Sequence, residues 1–302
     1  SIKARFIRAF FLRCIMKATA FAHTNIALIK YWGKRQQQFN LPDTDSLSLT
    51  LKAFGTETTV TLHEGDHDRF ILNEEEQSDN NLKKVTIMPD DIALLQYTGG
   101  TTGKSKAAVL THNNILSNIQ QLDLWVGPHV SKGREIIITA LPLYHIFSFS
   151  VNFIYFFSIG SNNILIANPR DLKSFVNDLS KYRFTVITAV NTLFNLLLTS
   201  SKFKKIDFTS LKFAVGGGMS VLSSTAKRWK KITGVEITQG YGLTETSPIV
   251  SINNITDQFN GSIGLPVPST TISIRDDADN ELSYGEPVEL CVRGPQVMSG
   301  YW

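Results

Sequence analysis

Apolar and polar positions along the second two thirds of this chain fall into two alternating rhythms. Short β-rich runs at 136–139, 164–167, 184–188 and 211–215 read as strands. Between them, apolar residues recur at helical spacing. Asn113 stands where a helix cap belongs, ahead of Ile115, Leu116, Ile119 and Leu122 on one face. Asp171 stands in the same relation to Leu172, Phe175, Val176 and Leu179. Strand, helix and strand in this order predict an α/β fold, a parallel sheet covered by helices. From about residue 262 the rhythm changes to strands separated by Pro and Gly turns, at 270–274 and 288–292, which predicts a small β subdomain. Upstream, residues 73–84 are polar and nearly free of apolar side chains, and read as a linker or surface loop. The expected organisation is therefore a basic extension at 1–15, a segment at 16–72, a linker at 73–87 and the α/β part at 88–302.

Residues 136–169 contain no Lys, Arg, Asp or Glu, long enough to raise the question of a membrane span. Pro142, His145, Asn152, Asn162 and Asn163 interrupt the run, and a strand, a loop, a buried helix and another strand describe it better. No integral span is expected. Of the 302 residues, 42% are apolar and 19% charged, which suits a globular protein with a real core. The two cysteines, Cys14 and Cys291, fit no metal or redox spacing, and a reducing cytoplasm is the simple inference. The net charge of +4 is uneven, because residues 1–42 hold eight Lys or Arg and no acid. The first fifteen residues mix Arg5, Arg8 and Arg13 with Phe6, Ile7, Phe10, Phe11 and Leu12. A targeting segment, a peripheral contact at the inner membrane face and a vestigial upstream extension all stay open, the last preferred because Met16 makes a more ordinary start. Nothing points to a nucleic-acid partner.

The densest chemistry lies in the run Tyr97, Thr98, Gly99, Gly100, Thr101, Thr102, Gly103, Lys104, Ser105, Lys106. Glycines bring backbone N–H groups close to a ligand, and hydroxyls with two ammonium groups beside them make an anion site suited to a polyphosphate. It is not a Walker loop, since that spacing requires glycine at the position of Thr98. A solvated Gly/Thr linker is the bland alternative. Further on, Gly216, Gly217 and Gly218 follow the run at 211–215, at the carboxyl end of an expected strand, where open α/β sheets bind ligands. Gly240, Tyr241, Gly242, Leu243, Thr244, Glu245 and Thr246 supply an aromatic face, a hydroxyl and a carboxylate in a short span. His145 lies inside the apolar stretch from Pro142 to Phe147 and, alone, is more often a satisfied core histidine.

Together these motifs, in this order, resemble the AMP-forming acyl-CoA synthetases of the adenylate-forming superfamily, and local phrasing resembles bacterial long-chain fatty-acid–CoA ligases most. The resemblance runs over about 88–302. It implies a partial adenylate-forming large domain with fatty acid and ATP as substrates, Mg²⁺ as cofactor and CoA as co-substrate. It also implies roles: Thr98, Gly99, Gly100, Thr101, Thr102, Gly103, Lys104 and Lys106 at the β- and γ-phosphates, and Thr244 with Glu245 and its Mg²⁺ at the α-phosphate. Gly217, Gly218, Gly240 and Tyr241 would line the adenine and acyl side, His145 would sit beside the substrate carboxylate, and apolar groups around 147–157 would line an acyl channel. Ala107 and Ser220 depart from the glycine and proline usual at their motif positions.

The segment 16–72 differs. The stretch 22–35, with Lys30, Tyr31 and Lys34, and the stretch 46–51 resemble the start of diphosphomevalonate decarboxylase, a GHMP-kinase-fold enzyme, in which Tyr31 and Lys34 would meet a diphosphate. Asp43, Thr44 and Asp45 depart from that pattern, and an amphipathic β-hairpin with exposed lysines is the plainer alternative. Neither family's full set of catalytic segments is present, so the expectation is a truncated, fused product that retains nucleotide binding and little or no ligation. A decarboxylase fragment and a non-catalytic nucleotide-binding module are the competing classes.

Overall fold

The computed structural model describes residues 86–98 and 106–302 except 277, 283–284 and 286–288, and among the first 85 residues it describes backbone strands alone. The chain divides into two units, one built on residues 1–85 and one on residues 86–100 and 105–302. In the first, β1 (Met16–Ile29) pairs antiparallel with β4 (Leu47–Leu62), while the short β2 (Lys34–Gln36) and β3 (Leu41–Pro42) pair with each other. β5 (Phe70–Leu72) pairs with β6 (Glu75–Gln77), so the polar stretch expected as a linker contains one strand of a small hairpin.

The second unit opens with a hairpin of β7 (Ile92–Thr98) and β8 (Lys106–Thr111), followed by α1 (His112–Val126). The cap of α1 is Thr111, two residues ahead of the expected Asn113. Its hydroxyl accepts from the Asn114 backbone N–H at 3.2 Å, and the Asn114 side chain accepts from the Thr111 N–H at 2.9 Å. A reciprocal pair satisfies two donors that a lone Asn113 would leave open. Ile115 and Leu122 are buried as expected, but Leu116 faces outward.

Next come β9 (Ile136–Thr139), a π-helical segment Ser148–Tyr155 that runs into a helical turn Phe156–Ser158 (together α2), and β10 (Asn162–Leu165). Then follow α3 (Leu172–Leu179), β11 (Val186–Ala189), α4 (Asn191–Thr199), β12 (Phe213–Gly216), α5 (Ser223–Thr233) and β13 (Ile237–Gly242). The unit closes with β14 (Ile249–Ile252), β15 (Leu265–Pro266), β16 (Thr271–Arg275) and β17 (Glu289–Arg293). Asp171 caps α3 as expected, accepting from the Ser174 N–H at 3.1 Å. Among the described residues no helix is long and apolar enough to cross a membrane.

One mixed sheet runs β10-β9-β11-β12-β13-β14-β15, parallel from β10 through β13 and antiparallel beyond. Its inner parallel strands β9, β11 and β12 are buried on both faces, which explains their continuous apolar character. Ile138, Ile187, Ala214 and Ile237 pack with Phe175 of α3, Phe194 of α4 and Trp229 of α5. Their chain neighbours Ile137, Val186, Phe213 and Val215 point the other way, onto Leu122 and Val126 of α1 and Val151 and Phe156 of α2. From β9 the chain steps to β10 on one side and then to β11 on the other, so the strand order reverses there. Such reversals open a crevice at the strands' carboxyl ends. β16 and β17 form the separate two-stranded sheet expected after residue 262, each beginning one residue later than anticipated.

Candidate functional site

The site is assembled at the carboxyl ends of β12 and β13. β12 ends in Gly216, and the chain turns through Gly217 and Gly218, the latter at φ +74°. Gly217 permits a close approach, since a Cβ there would lie 3.2 Å from the Phe147 ring. β13 carries Gly240, Tyr241 and Gly242, then a 3-10 turn Thr244–Thr246 holds Thr244 and Glu245. Antiparallel pairing of Tyr241 with Ser251 on β14 fixes this strand end.

A cavity lies among these elements. Gly216, Gly217 and Gly218 form one wall, Gly240, Tyr241, Gly242 and Leu243 another, and His145, Phe147, Val151 and Phe156 a third. Leu122 and Val126 of α1 and Phe213 and Val215 of β12 close its floor. The lining is almost wholly apolar. His145 lines the cavity while remaining open to solvent. Burial of its inner part holds its imidazole below the ordinary histidine value, which favours the neutral ring at neutral pH. The Phe147 backbone N–H donates to His145 Nδ1 at 3.2 Å, so the neutral ring carries its proton on Nε2, free to donate.

Sequence reasoning placed His145, Gly217, Gly218, Gly240 and Tyr241 in one site, and all five line this cavity. Thr244 and Glu245 follow directly on Leu243, which lines it, without lining it themselves. Of the glycine- and threonine-rich run, Thr98 and Lys106 are paired with each other at the base of the β7–β8 hairpin. Gly99, Gly100, Thr101, Thr102, Gly103 and Lys104 lie outside the described residues. The two ends of the run are thus held side by side. Of the expected acyl-channel stretch, Phe147, Val151 and Phe156 reach the cavity, whereas Phe149 packs in a separate cluster with Ile146 and Leu110, and Phe153 is exposed.

Sequence reasoning missed several participants. Phe213 and Val215 join the lining only once β12 and β13 are placed side by side. Tyr301 donates its hydroxyl to Glu245 Oε1 at 2.7 Å, and the Met298 N–H donates to the Glu245 carbonyl at 2.8 Å. The segment 294–302 is held down by buried polar groups. Asn114 of α1 donates to the carbonyls of Pro295 and Val297, and the fully buried Gln296 bonds to Gln121, Thr270 and the Ile249 carbonyl.

Among the described residues no three His, Cys, Asp or Glu side chains gather as a metal cage. A single carboxylate such as Glu245 instead suits Mg²⁺, which keeps most of its waters and binds through one or two carboxylates together with substrate phosphates. The donor set fits a magnesium–nucleotide better than a free-standing ion.

The sequence model of the AMP-binding enzymes matches residues 25–302. The chain belongs to the AMP-binding enzyme family. Long-chain-fatty-acid–CoA ligase of Escherichia coli O157:H7 is 54% identical over 220 residues, covering 72% of this chain and 39% of that protein. The same enzyme of Bacillus subtilis is 35% identical over 214 residues, covering 70% and 38%. Apo MatB from Rhodopseudomonas palustris superposes with a TM-score of 0.66 at 28% identity, covering 74% of this chain and 43% of MatB. A long-chain-fatty-acid-CoA ligase, FadD1 from Archaeoglobus fulgidus, superposes with a TM-score of 0.62 at 24% identity and shares the fold. This family member therefore spans about two fifths of the length of the curated relatives it matches.

Proposed function

We propose that this chain carries the acyl-adenylation site of a long-chain fatty-acid–CoA ligase. The observation that carries the reading is convergence: the glycine turn after β12, the strand end around Tyr241 and the His145–Phe147 stretch line one apolar cavity. The 54% identity to a ligase of that description supports the acyl class.

In this reading a fatty-acid carboxylate attacks the α-phosphorus of ATP, forming acyl-AMP as pyrophosphate leaves. A CoA thiolate then attacks the acyl carbonyl, forming the thioester as AMP leaves. The chain's residues supply positioning and charge more than covalent help. Residues 98–106 cradle the β- and γ-phosphates with backbone N–H groups and the Lys104 and Lys106 ammonium groups. Thr244 donates to the α-phosphate. Tyr241, stacked on the purine, and the Gly217–Gly218 turn hold the adenine side, where a larger residue would push Phe147. His145 donates from Nε2 to the carboxylate at the cavity rim, and Phe147, Val151 and Phe156 receive the chain's apolar tail. Mg²⁺, held by Glu245, would supply charge neutralisation at the phosphates.

The same reading takes residues 16–72 as a diphosphomevalonate-decarboxylase-like piece, favoured by the long β1–β4 antiparallel pair, although the family match begins inside it at residue 25. It assigns any peripheral membrane contact to residues 1–15, in a cytoplasmic protein.

Photolabelling with 8-azido-ATP tests the site. Label is expected on peptides carrying Gly216–Gly218 or Gly240–Thr246, suppressed by excess ATP. Label that ATP does not suppress, or that falls on the outer face of α5, would overturn the reading.

A further inference from the structure

Tyr301 lies far from the glycine turn in sequence, and no site motif includes it. It sits nonetheless between the two phosphate-handling elements. Its backbone is laid on β8, the strand that leaves the phosphate loop. The Val109 N–H donates to the Gly300 carbonyl at 2.9 Å, the Trp302 N–H to the Ala107 carbonyl at 2.8 Å, and the Ser299 N–H to the Val109 carbonyl at 3.0 Å. From that position its hydroxyl reaches Glu245 at 2.7 Å, and its ring faces the Lys106 ammonium, 5.2 Å from the centroid. One side chain therefore touches the loop's terminal lysine and the carboxylate of the 244–246 turn.

We propose that Tyr301 is a positioning residue for Glu245. By donating to Oε1, it fixes the carboxylate in one rotamer and leaves Oε2 directed to a magnesium–nucleotide. This rests on the adenylation reading above. Glutamate loses considerable rotamer freedom when it binds a ligand, and a fixed hydrogen bond supplies part of that ordering in advance. Holding Lys106 against the ring places the cation of the phosphate loop on the same side. The arrangement orders this cation and this carboxylate together before the nucleotide arrives.

The test is ATP binding to the full chain by isothermal titration, with Mg²⁺ and with EDTA. Tyr301→Phe keeps the ring, the strand contacts and the stack on Lys106, and removes only a partly exposed hydroxyl, so folding is not at stake. It is expected to weaken binding about 10-fold in Mg²⁺ and to leave binding in EDTA unchanged. Glu245→Ala is expected to abolish the difference between Mg²⁺ and EDTA, and Tyr301→Phe to have no further effect in that background, because both act through one carboxylate. Equal weakening in Mg²⁺ and EDTA, or an undiminished effect on top of Glu245→Ala, would make Tyr301 merely structural and overturn the proposal. A magnesium-dependent wild type indifferent to Tyr301→Phe overturns it alone. A wild type that binds no ATP under either condition overturns the adenylation reading and this proposal with it.

Discussion

Gly242→Ala is expected to destabilise the second unit by about 3 kcal/mol and to abolish nucleotide binding. A Cβ at Gly242 would lie 1.9 Å from the Pro248 carbonyl oxygen and 2.8 Å from its carbon. Both are backbone atoms, so no rotamer change relieves the clash. The carbonyl cannot swing aside cheaply either, because it accepts from the Leu243 N–H at 2.9 Å and from the Thr246 hydroxyl at 2.6 Å. Relief requires pulling β13 from the chain entering β14, and with it the turn that carries Thr244 and Glu245. Urea unfolding with a matched binding assay reads both effects. Gly261→Ala is the control: φ is +81°, but nothing lies within 4 Å of the added methyl, so only the left-handed backbone is taxed, by about 1 kcal/mol, and binding survives. Equal losses for the two variants would contradict the steric account.

Lys212→Met is the second large effect, and it acts away from the candidate site. Glu135 precedes β9 with its side chain fully buried, and its Oε1 accepts from the Lys212 ammonium and from the Ser131 N–H at 2.6 Å, while Oε2 has no partner. Burial pushes this carboxyl up, but the Lys212 bond, Thr185 and Ser131 outweigh it and hold the group below the ordinary value of 4.5. Removing the lysine leaves a buried charge uncompensated, at a cost of about 3 kcal/mol near neutral pH, the lower end for such pairs because Lys212 is about a third exposed. A carboxyl depressed in the folded state stabilises above its unfolded value, and this contribution fades as pH falls through the folded value. In the variant the Ser131 and Thr185 contributions remain but that of Lys212 is gone, so burial weighs more, the carboxyl rises relative to wild type, and protonation on acidification relieves the penalty. The gap between wild type and Lys212→Met should therefore shrink as pH drops below about 4.5. Chemical denaturation at pH 7 and pH 4 measures it; a gap that widens in acid would sink the argument.

The parts of the fold legible from sequence were those decided locally. The strand Ile136–Thr139 and the Asp171 cap were found where expected, because a β-branched run and an acidic cap act within a few residues. The start of α1 was displaced, because Thr111 and Asn114 satisfy each other, a choice invisible to a search for one capping residue. Leu116 shared the helical spacing of Ile115 yet stays outside, since the contact side of α1 is chosen by the sheet and not by α1 alone. The basic helix α5 went unpredicted among its Lys and Arg residues, although Ala226 and Trp229 anchor it in the core. Of the cavity lining, Gly217, Gly218, Gly240, Tyr241 and His145 were anticipated because their motifs, taken together and in order, resemble those of one family; His145 on its own read as a core histidine. Tyr301 was not anticipated, because its partner Glu245 is 56 residues away and only the pairing of 299–302 with β8 brings them together.

In the proposed function the nucleotide motifs and the apolar cavity form one site. Calorimetric titration of the chain with alkyl-adenylates, from butyl to hexadecyl, tests it most directly. Saturable binding at one site is expected, tightening as the chain lengthens, each newly buried methylene adding up to about 0.8 kcal/mol until the cavity is filled, and lost on adding ATP. Butyl and hexadecyl adenylates binding equally, or hexadecyl adenylate binding alongside saturating ATP, would contradict it.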